Sequence, residues 1–153
     1  MRINIPPQVE VIIEKLTGMG YEAYLVGGCV RDSILGLNPN DWDVTTSALP
    51  NEIKFALSDC KLIETGVKHG TITVLIDLAS VEVTTYRVDG KYSDNRHPDD
   101  VRFTRNLKED LARRDFTINA LAYNHADGMI DCFGGAEDIL KKQICCVGKP
   151  DLR

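Results

Sequence analysis

The 153-residue chain is long enough for one moderate core, and its 43% hydrophobic and 27% charged residues exclude a disordered or low-complexity protein. It contains no apolar run of transmembrane length and no signal core ahead of Pro6-Pro7, and its five cysteines, an odd number without C-x-x-C spacing, argue against a zinc ribbon or a disulfide framework, so a cytoplasmic protein is expected. The net charge of −5 excludes a uniformly basic surface, leaving any attraction for polyphosphate to local clusters such as Arg31, Arg87, Arg113 and Arg114.

In chain order, Val9, Ile12, Ile13, Leu16 and Met19 recur at helical spacing, with Pro6-Pro7 before them and Gly18 and Gly20 at the end. Tyr21 to Val26 reads as a strand. Gly27-Gly28 permits a tight turn into a short helix from Val30 to Leu35, closed by Gly36. N–H groups at that helix start, with Arg31 beside them, suit a triphosphate, and Asp32 either orients an arginine or touches substrate.

Asp41-Trp42-Asp43 comes next. A strand here aims both carboxylates at one face and buries Trp42 on the other. Paired carboxylates of this kind are what a divalent-metal site for phosphate chemistry requires, with a solvated turn as the alternative; in the metal reading Asp41 and Asp43 would hold two Mg²⁺ ions. A helix is expected from Pro50 to Leu57. Gly70 to Ile76 and Val81 to Tyr86 then read as a hairpin joined at Asp77 to Ser80, which supplies Glu82 as a third carboxylate. Three converging carboxylates repel unless a cation or proton intervenes.

Asp89 to Asp100 is polar and marked by glycine and proline, so a loop is expected there. A helix is predicted from about Leu107 to Leu111 and onward around Arg113 to Ala120, which would put Asp115 and Asn119 on one face. Leu121 to Asn124 and Met129 to Cys132 bracket an Asp-Gly turn. A last helix is expected from Ala136 to Lys142, and Ile144 to Val147 reads as an apolar strand. His69, His97 and His125 lack metal-ligand spacing and are assigned to hydrogen bonding or the surface. The glycine spacing does not match a dinucleotide fingerprint.

The ordered set Leu25-Val26-Gly27-Gly28-Cys29-Val30-Arg31-Asp32, Asp41-Trp42-Asp43, His69-Gly70-Thr71, Glu82 to Arg87, Arg113-Arg114-Asp115-Phe116-Thr117-Ile118-Asn119-Ala120 and Asp131-Cys132-Phe133-Gly134-Gly135 resembles the catalytic head of class II tRNA nucleotidyltransferases and the related poly(A) polymerases. The resemblance covers nearly the whole chain. It implies a mixed α+β nucleotidyltransferase-superfamily head with a DNA-polymerase-beta-like sheet and packed helices. Residues 1–147 would form that head, and 148–153 would begin a connection to further neck and body regions of a longer polypeptide.

The same resemblance implies transfer of CMP and AMP from CTP and ATP to a tRNA 3′-hydroxyl, with Mg²⁺ as cofactor and no membrane partner. Catalytic roles fall to Asp41, Asp43 and Glu82, and nucleotide binding to Gly27, Gly28, Arg31, Arg114, Asp115 and Asn119. Arg114 would grip phosphate and Asp115 would read a ribose 2′-hydroxyl. Cys132 stands where the family has proline. CC-adding or A-adding enzymes and poly(A) polymerases share these motifs, and a catalytically inactive RNA-binding relative is the reading from another class. By itself the chain is expected to be weak or inactive on tRNA, because base-reading residues in the family follow the Gly148-Lys149-Pro150-Asp151-Leu152-Arg153 segment.

Overall fold

The computed structural model describes residues 2–89 and 101–148. Helix α1 spans Pro7–Gly18, with proline in its first turn where a missing N–H costs nothing. Val9, Ile12, Ile13 and Leu16 are buried on its inner face, each contributing about 1.5–3 kcal/mol by leaving water. Met19, predicted on the same stripe, lies one residue past the helix and is 47% exposed, because the turn at Gly20 (φ 93°) carries the chain away from the core.

Strand β1 (Ala23–Val26) leads through the glycine turn into α2 (Gly28–Ile34), followed by β2 (Trp42–Thr46) and α3 (Pro50–Ala56). Strands β3 (Lys61–Ile63), β4 (Thr71–Ile76) and β5 (Ala79–Thr85) come next, then a two-stranded ribbon of β6 (Arg87–Asp89) and β7 (Val101–Phe103). Helix α4 (Leu107–Ala112), β8 (Leu121–Asn124), β9 (Gly128–Asp131) and α5 (Gly135–Leu140) complete the described chain.

The large sheet has seven strands in the order β3-β4-β5-β2-β1-β8-β9, antiparallel except for the β2–β5 pair. That parallel pair needs a long crossover, which α3, β3 and β4 supply. One sheet face carries Leu25, Val44, Ile72, Val74, Val81, Val83 and Leu121 into the main core, where α1 and Ile53 of α3 contribute. Tyr24, Val26, Tyr86, Leu111, Ala122 and Val147 form a smaller apolar cluster that includes α4. Asp43, Thr45, Glu82 and Thr84 alternate with the core-facing residues along β2 and β5 and so share the other sheet face.

Several expectations are revised. The β4–β5 turn has two residues, Asp77 and Leu78, both with positive φ (47° and 67°), the geometry of a tight hairpin whose twist matches its strands. The helix predicted through Arg113 to Ala120 stops at Ala112. Phe116 is instead extended and bridged to Cys146, Thr117 N–H donates to the Cys145 carbonyl (2.9 Å) and Val147 N–H to the Asp115 carbonyl (2.9 Å). Only Thr117–Asn119 then form a single 3₁₀ turn, so Asp115 and Asn119 share no helix face. The same pairing reduces the strand expected at Ile144 to Val147 to one bridge, with Ile144 73% exposed.

Gly128 (φ 75°) pairs with Asn124, and three residues, His125 to Asp127, make the β8–β9 turn. His125 hydrogen-bonds the Tyr123 hydroxyl (2.9 Å) and faces Glu10 (3.3 Å), as expected of a structural histidine. His97, most of the expected 89–100 loop and residues 149–153 lie outside the described residues. All five cysteines are free thiols, and no described helix is long and apolar enough to cross a membrane.

Candidate active site

Asp43 and Glu82 are direct partners across the parallel β2–β5 register, so their side chains leave the sheet on the same face. Asp41 precedes β2 by one residue. Together with Trp42 and Ser80, the three acids line one recess of about 390 Å³; Trp42, expected to be buried on the opposite face, packs against the main core but is only half-buried. The surrounding protein pushes the Asp43 carboxyl above its ordinary value chiefly by excluding water; Glu82 adds repulsion, Arg114 opposes both, and Asp41 pushes further upward. Among the described residues no three His, Cys, Asp or Glu side chains are already drawn into an ion-gripping cluster. The donors are nonetheless all oxygen, they repel one another, and they open to solvent. That fits Mg²⁺, which takes one or two carboxylates and fills its remaining positions with water and phosphate.

Asp43 also lines a second recess, about 470 Å³, with Gly27, Gly28, Arg31, Arg113, Arg114, Asp115 and Asn119. Asp43 is thus the hinge between an acidic recess and a basic one. Gly27 has φ 79°, where a side chain is strained, and a Cβ there would sit 3.4 Å from Arg114 Nη1. Its carbonyl accepts from the N–H groups of Val30 and Arg31 (both 3.1 Å), which folds the turn against α2. Arg31 is fixed by two bonds, Nε to Asp32 Oδ1 (2.9 Å) and Nη1 to Asn119 Oδ1 (2.8 Å). Of the two roles open to Asp32, the structure shows the one in which it orients an arginine. Because Asn119 accepts with its oxygen, its amide nitrogen is left as a donor toward the recess.

The 3₁₀ turn that carries Asn119 is set from behind. Gly135 packs so closely that a Cβ would lie 2.1 Å from the Thr117 carbonyl oxygen. Asp131 accepts from the N–H groups of Gly135 (2.8 Å) and Ala136 (3.0 Å), capping α5 and fixing that contact. Cys132, in the position of the family proline, is exposed and leaves this cap intact.

One residue packed against the site arginines was not singled out from the sequence. Asp110 of α4 is fully buried beneath the arginines and accepts from Thr45 Oγ1 (3.0 Å), the Arg87 N–H (3.0 Å) and Arg113 Nε (3.4 Å), with Arg114 Nη2 at 3.8 Å. Its one sequence signal is an acid three and four residues before the arginine pair, the spacing of helical ion pairs. Burial lowers the Arg114 guanidinium from its ordinary value; Asp110 and Asp43 pull it back up, while Arg113 and Arg87 push it down. Each predicted nucleotide-binding residue thus lines the basic recess and each predicted acid lines the adjoining one.

The Poly A polymerase head domain model matches residues 23–145. The chain is 50% identical over 146 residues to the CCA-adding enzyme of Lactobacillus delbrueckii subsp. bulgaricus, covering 95% of this chain and 36% of that protein. It is 49% identical over 142 residues to the CCA-adding enzyme of Geobacillus kaustophilus, covering 93% and 35%. Among solved structures, the Bacillus stearothermophilus CCA-adding enzyme in complex with CTP superposes with a TM-score of 0.83 at 42% identity, covering 94% of this chain and 34% of that one. A tRNA nucleotidyltransferase complexed with a primer tRNA and an incoming ATP analog gives 0.70 at 33% identity, covering 90% and 39%. The chain spans about a third of the length of the curated relatives it matches. With this architecture and these matches, the chain belongs to the Poly A polymerase head domain family, the head shared by the class II tRNA nucleotidyltransferases that its motifs resemble.

Proposed function

We propose that this chain is the catalytic head of a Mg²⁺-dependent CCA-adding tRNA nucleotidyltransferase, transferring CMP and AMP from CTP and ATP to a tRNA 3′-hydroxyl. The observation that carries this reading is Asp43, which lines both the acidic recess of Asp41 and Glu82 and the basic recess of Arg31, Arg113 and Arg114. A nucleoside triphosphate needs both, an oxygen-rich metal site at one end and cations along its phosphates. The names of the relatives support CCA addition over its CC-adding, A-adding and poly(A) variants.

Asp41 and Asp43 would hold the metal, with Glu82 beside them. Bound there, Mg²⁺ supplies charge stabilisation to the triphosphate and lowers the pKa of the attacking hydroxyl. Arg31, held by Asp32 and Asn119, and Arg114, beside the Gly27 turn, bind phosphate oxygens through planar forks. The solvent-facing Asp115 carboxylate accepts a hydrogen bond from the ribose 2′-hydroxyl, and the Asn119 amide donates to a sugar or phosphate oxygen. No protein nucleophile takes part, so the protein's work is to position the reactants and offset their charge.

The remaining length of the relatives would carry base selection and most RNA contacts. On tRNA by itself, the 153-residue chain is expected to make no ordered CCA end. Titration with CTP and ATP, with and without Mg²⁺, tests the reading. Mg²⁺-dependent binding of both nucleotides is expected, and a folded chain indifferent to Mg²⁺·NTP would favour an inactive RNA-binding relative.

A further inference from the structure

We propose that Asp110 is a positioning residue of the nucleotide site, holding Arg113 and Arg114 toward the triphosphate and keeping Arg114 from folding onto Asp43. This inference rests on the nucleotidyl-transfer reading. A fully buried carboxylate is costly unless charges and hydrogen bonds surround it. Every donor around Asp110 leads to the site. Thr45 lies two residues along β2 from Asp43 on the same sheet face, Arg87, whose backbone N–H donates to Asp110, opens β6 with one residue between it and the strand that carries Glu82, and Arg113 and Arg114 line the basic recess.

Arg114 has Asp110 at 3.8 Å from Nη2 and shares the basic recess with Asp43, and both carboxylates attract its charge. Among the described residues its buried Nε has no hydrogen-bond partner, so the guanidinium is held by charge and packing. Nη1 lies against the Gly27 turn, where phosphate is expected. Without Asp110, Arg113 and Arg114 lose the carboxylate beneath them, and Asp43 remains as an anion that attracts Arg114. That collapse would cost the site twice. The phosphate loses its fork, and the metal competes with a guanidinium for Asp43.

Affinity of the chain for Mg²⁺·CTP, read by calorimetry and by the fluorescence of Trp42, the single tryptophan, provides the test. Asp110→Asn keeps the shape and one acceptor and should weaken Mg²⁺·CTP by ~10-fold, the scale of one hydrogen bond to a charged group. The Asp110→Asn effect should vanish in an Arg114→Met background, because a residue acting through Arg114 is not additive with it. Asp110→Glu should restore part of the affinity. Should Asp110→Asn fail to fold by thermal melting, Thr45→Val carries the test: it keeps the charge, removes one bond to Asp110, and should weaken binding ~2- to 5-fold only while Arg114 is present.

Removing a negative charge near phosphate would by field alone tighten binding. Unchanged or tighter binding by Asp110→Asn, or a full multiplicative loss in the Arg114→Met background, would overturn the positioning role while leaving the nucleotidyl-transfer reading in place. Failure of the wild-type chain to bind Mg²⁺·CTP would overturn both.

Discussion

Asp43→Asn should make the protein more stable and its site useless. Adjacent strands lie about 4.8 Å apart, so two like charges at that spacing repel by about 1 kcal/mol in water and about 3.5 kcal/mol at an effective dielectric of 20. Asp43 and Glu82 occupy paired positions and their side chains reach solvent, which places the repulsion at the lower end, about 1 kcal/mol. For a chain of this size that corresponds to a rise in Tm of about 2–4 °C in EDTA. Asparagine removes the repulsion and the ligand charge together, so Mg²⁺ should stabilise wild type and leave the variant unmoved.

The pH dependence has a definite sign. Because the folded-state pKa of Asp43 is raised, the native state holds a proton more tightly than the unfolded chain does. Wild-type stability attributable to this group should therefore fall as pH rises from the ordinary aspartate value through the raised one, and Asp43→Asn should lack that component. Differential scanning calorimetry in EDTA and in Mg²⁺ between pH 4 and 7.5 provides the measurement. A variant that melts below wild type in EDTA, or that retains the Mg²⁺ response, would refute the electrostatic reasoning.

Arg114→Lys keeps the charge but loses the fork beside Gly27, and should weaken Mg²⁺·CTP by about 1–3 kcal/mol in a binding titration; undiminished affinity would remove Arg114 from phosphate recognition. Asp115→Ala should narrow the gap between CTP and dCTP affinities, and an unchanged ratio would make Asp115 a support for the Phe116 N–H, which its carboxylate already accepts at 2.8 Å. Gly135→Ala places a Cβ against the Thr117 backbone and should cost about 1–3 kcal/mol of stability by overpacking, with CTP affinity falling as Asn119 shifts; wild-type melting would contradict the contact.

The acidic half of the site was legible because it is local. Two aspartates around a half-buried tryptophan declare both strand and face, and an alternating run containing Glu82 declares its neighbour. The glycine turn was legible for the same reason. The Arg113 to Ala120 segment was misread because its residues tolerate a helix, while the partner that holds it extended, Cys145 to Val147, lies about thirty residues further along the chain. Asp110 was hidden more deeply still. Its meaning comes from Thr45, 65 residues away, and from the Arg87 N–H, 23 residues away, which converge only once β2, β6 and α4 are packed together.

Nucleotide addition can be tested in a setting that supplies the rest of the machinery. The matched head of the Geobacillus kaustophilus CCA-adding enzyme, 49% identical to this chain, would be replaced by residues 1–147, and the chimera given tRNA lacking its CCA end, Mg²⁺, CTP and ATP. Products are resolved at single-nucleotide length. If this chain is a CCA-adding head, the chimera adds two C and one A in order, and the same chimera carrying Asp43→Asn adds nothing. A folded chimera that leaves the tRNA unextended, or an Asp43→Asn chimera that extends it normally, would contradict the assignment.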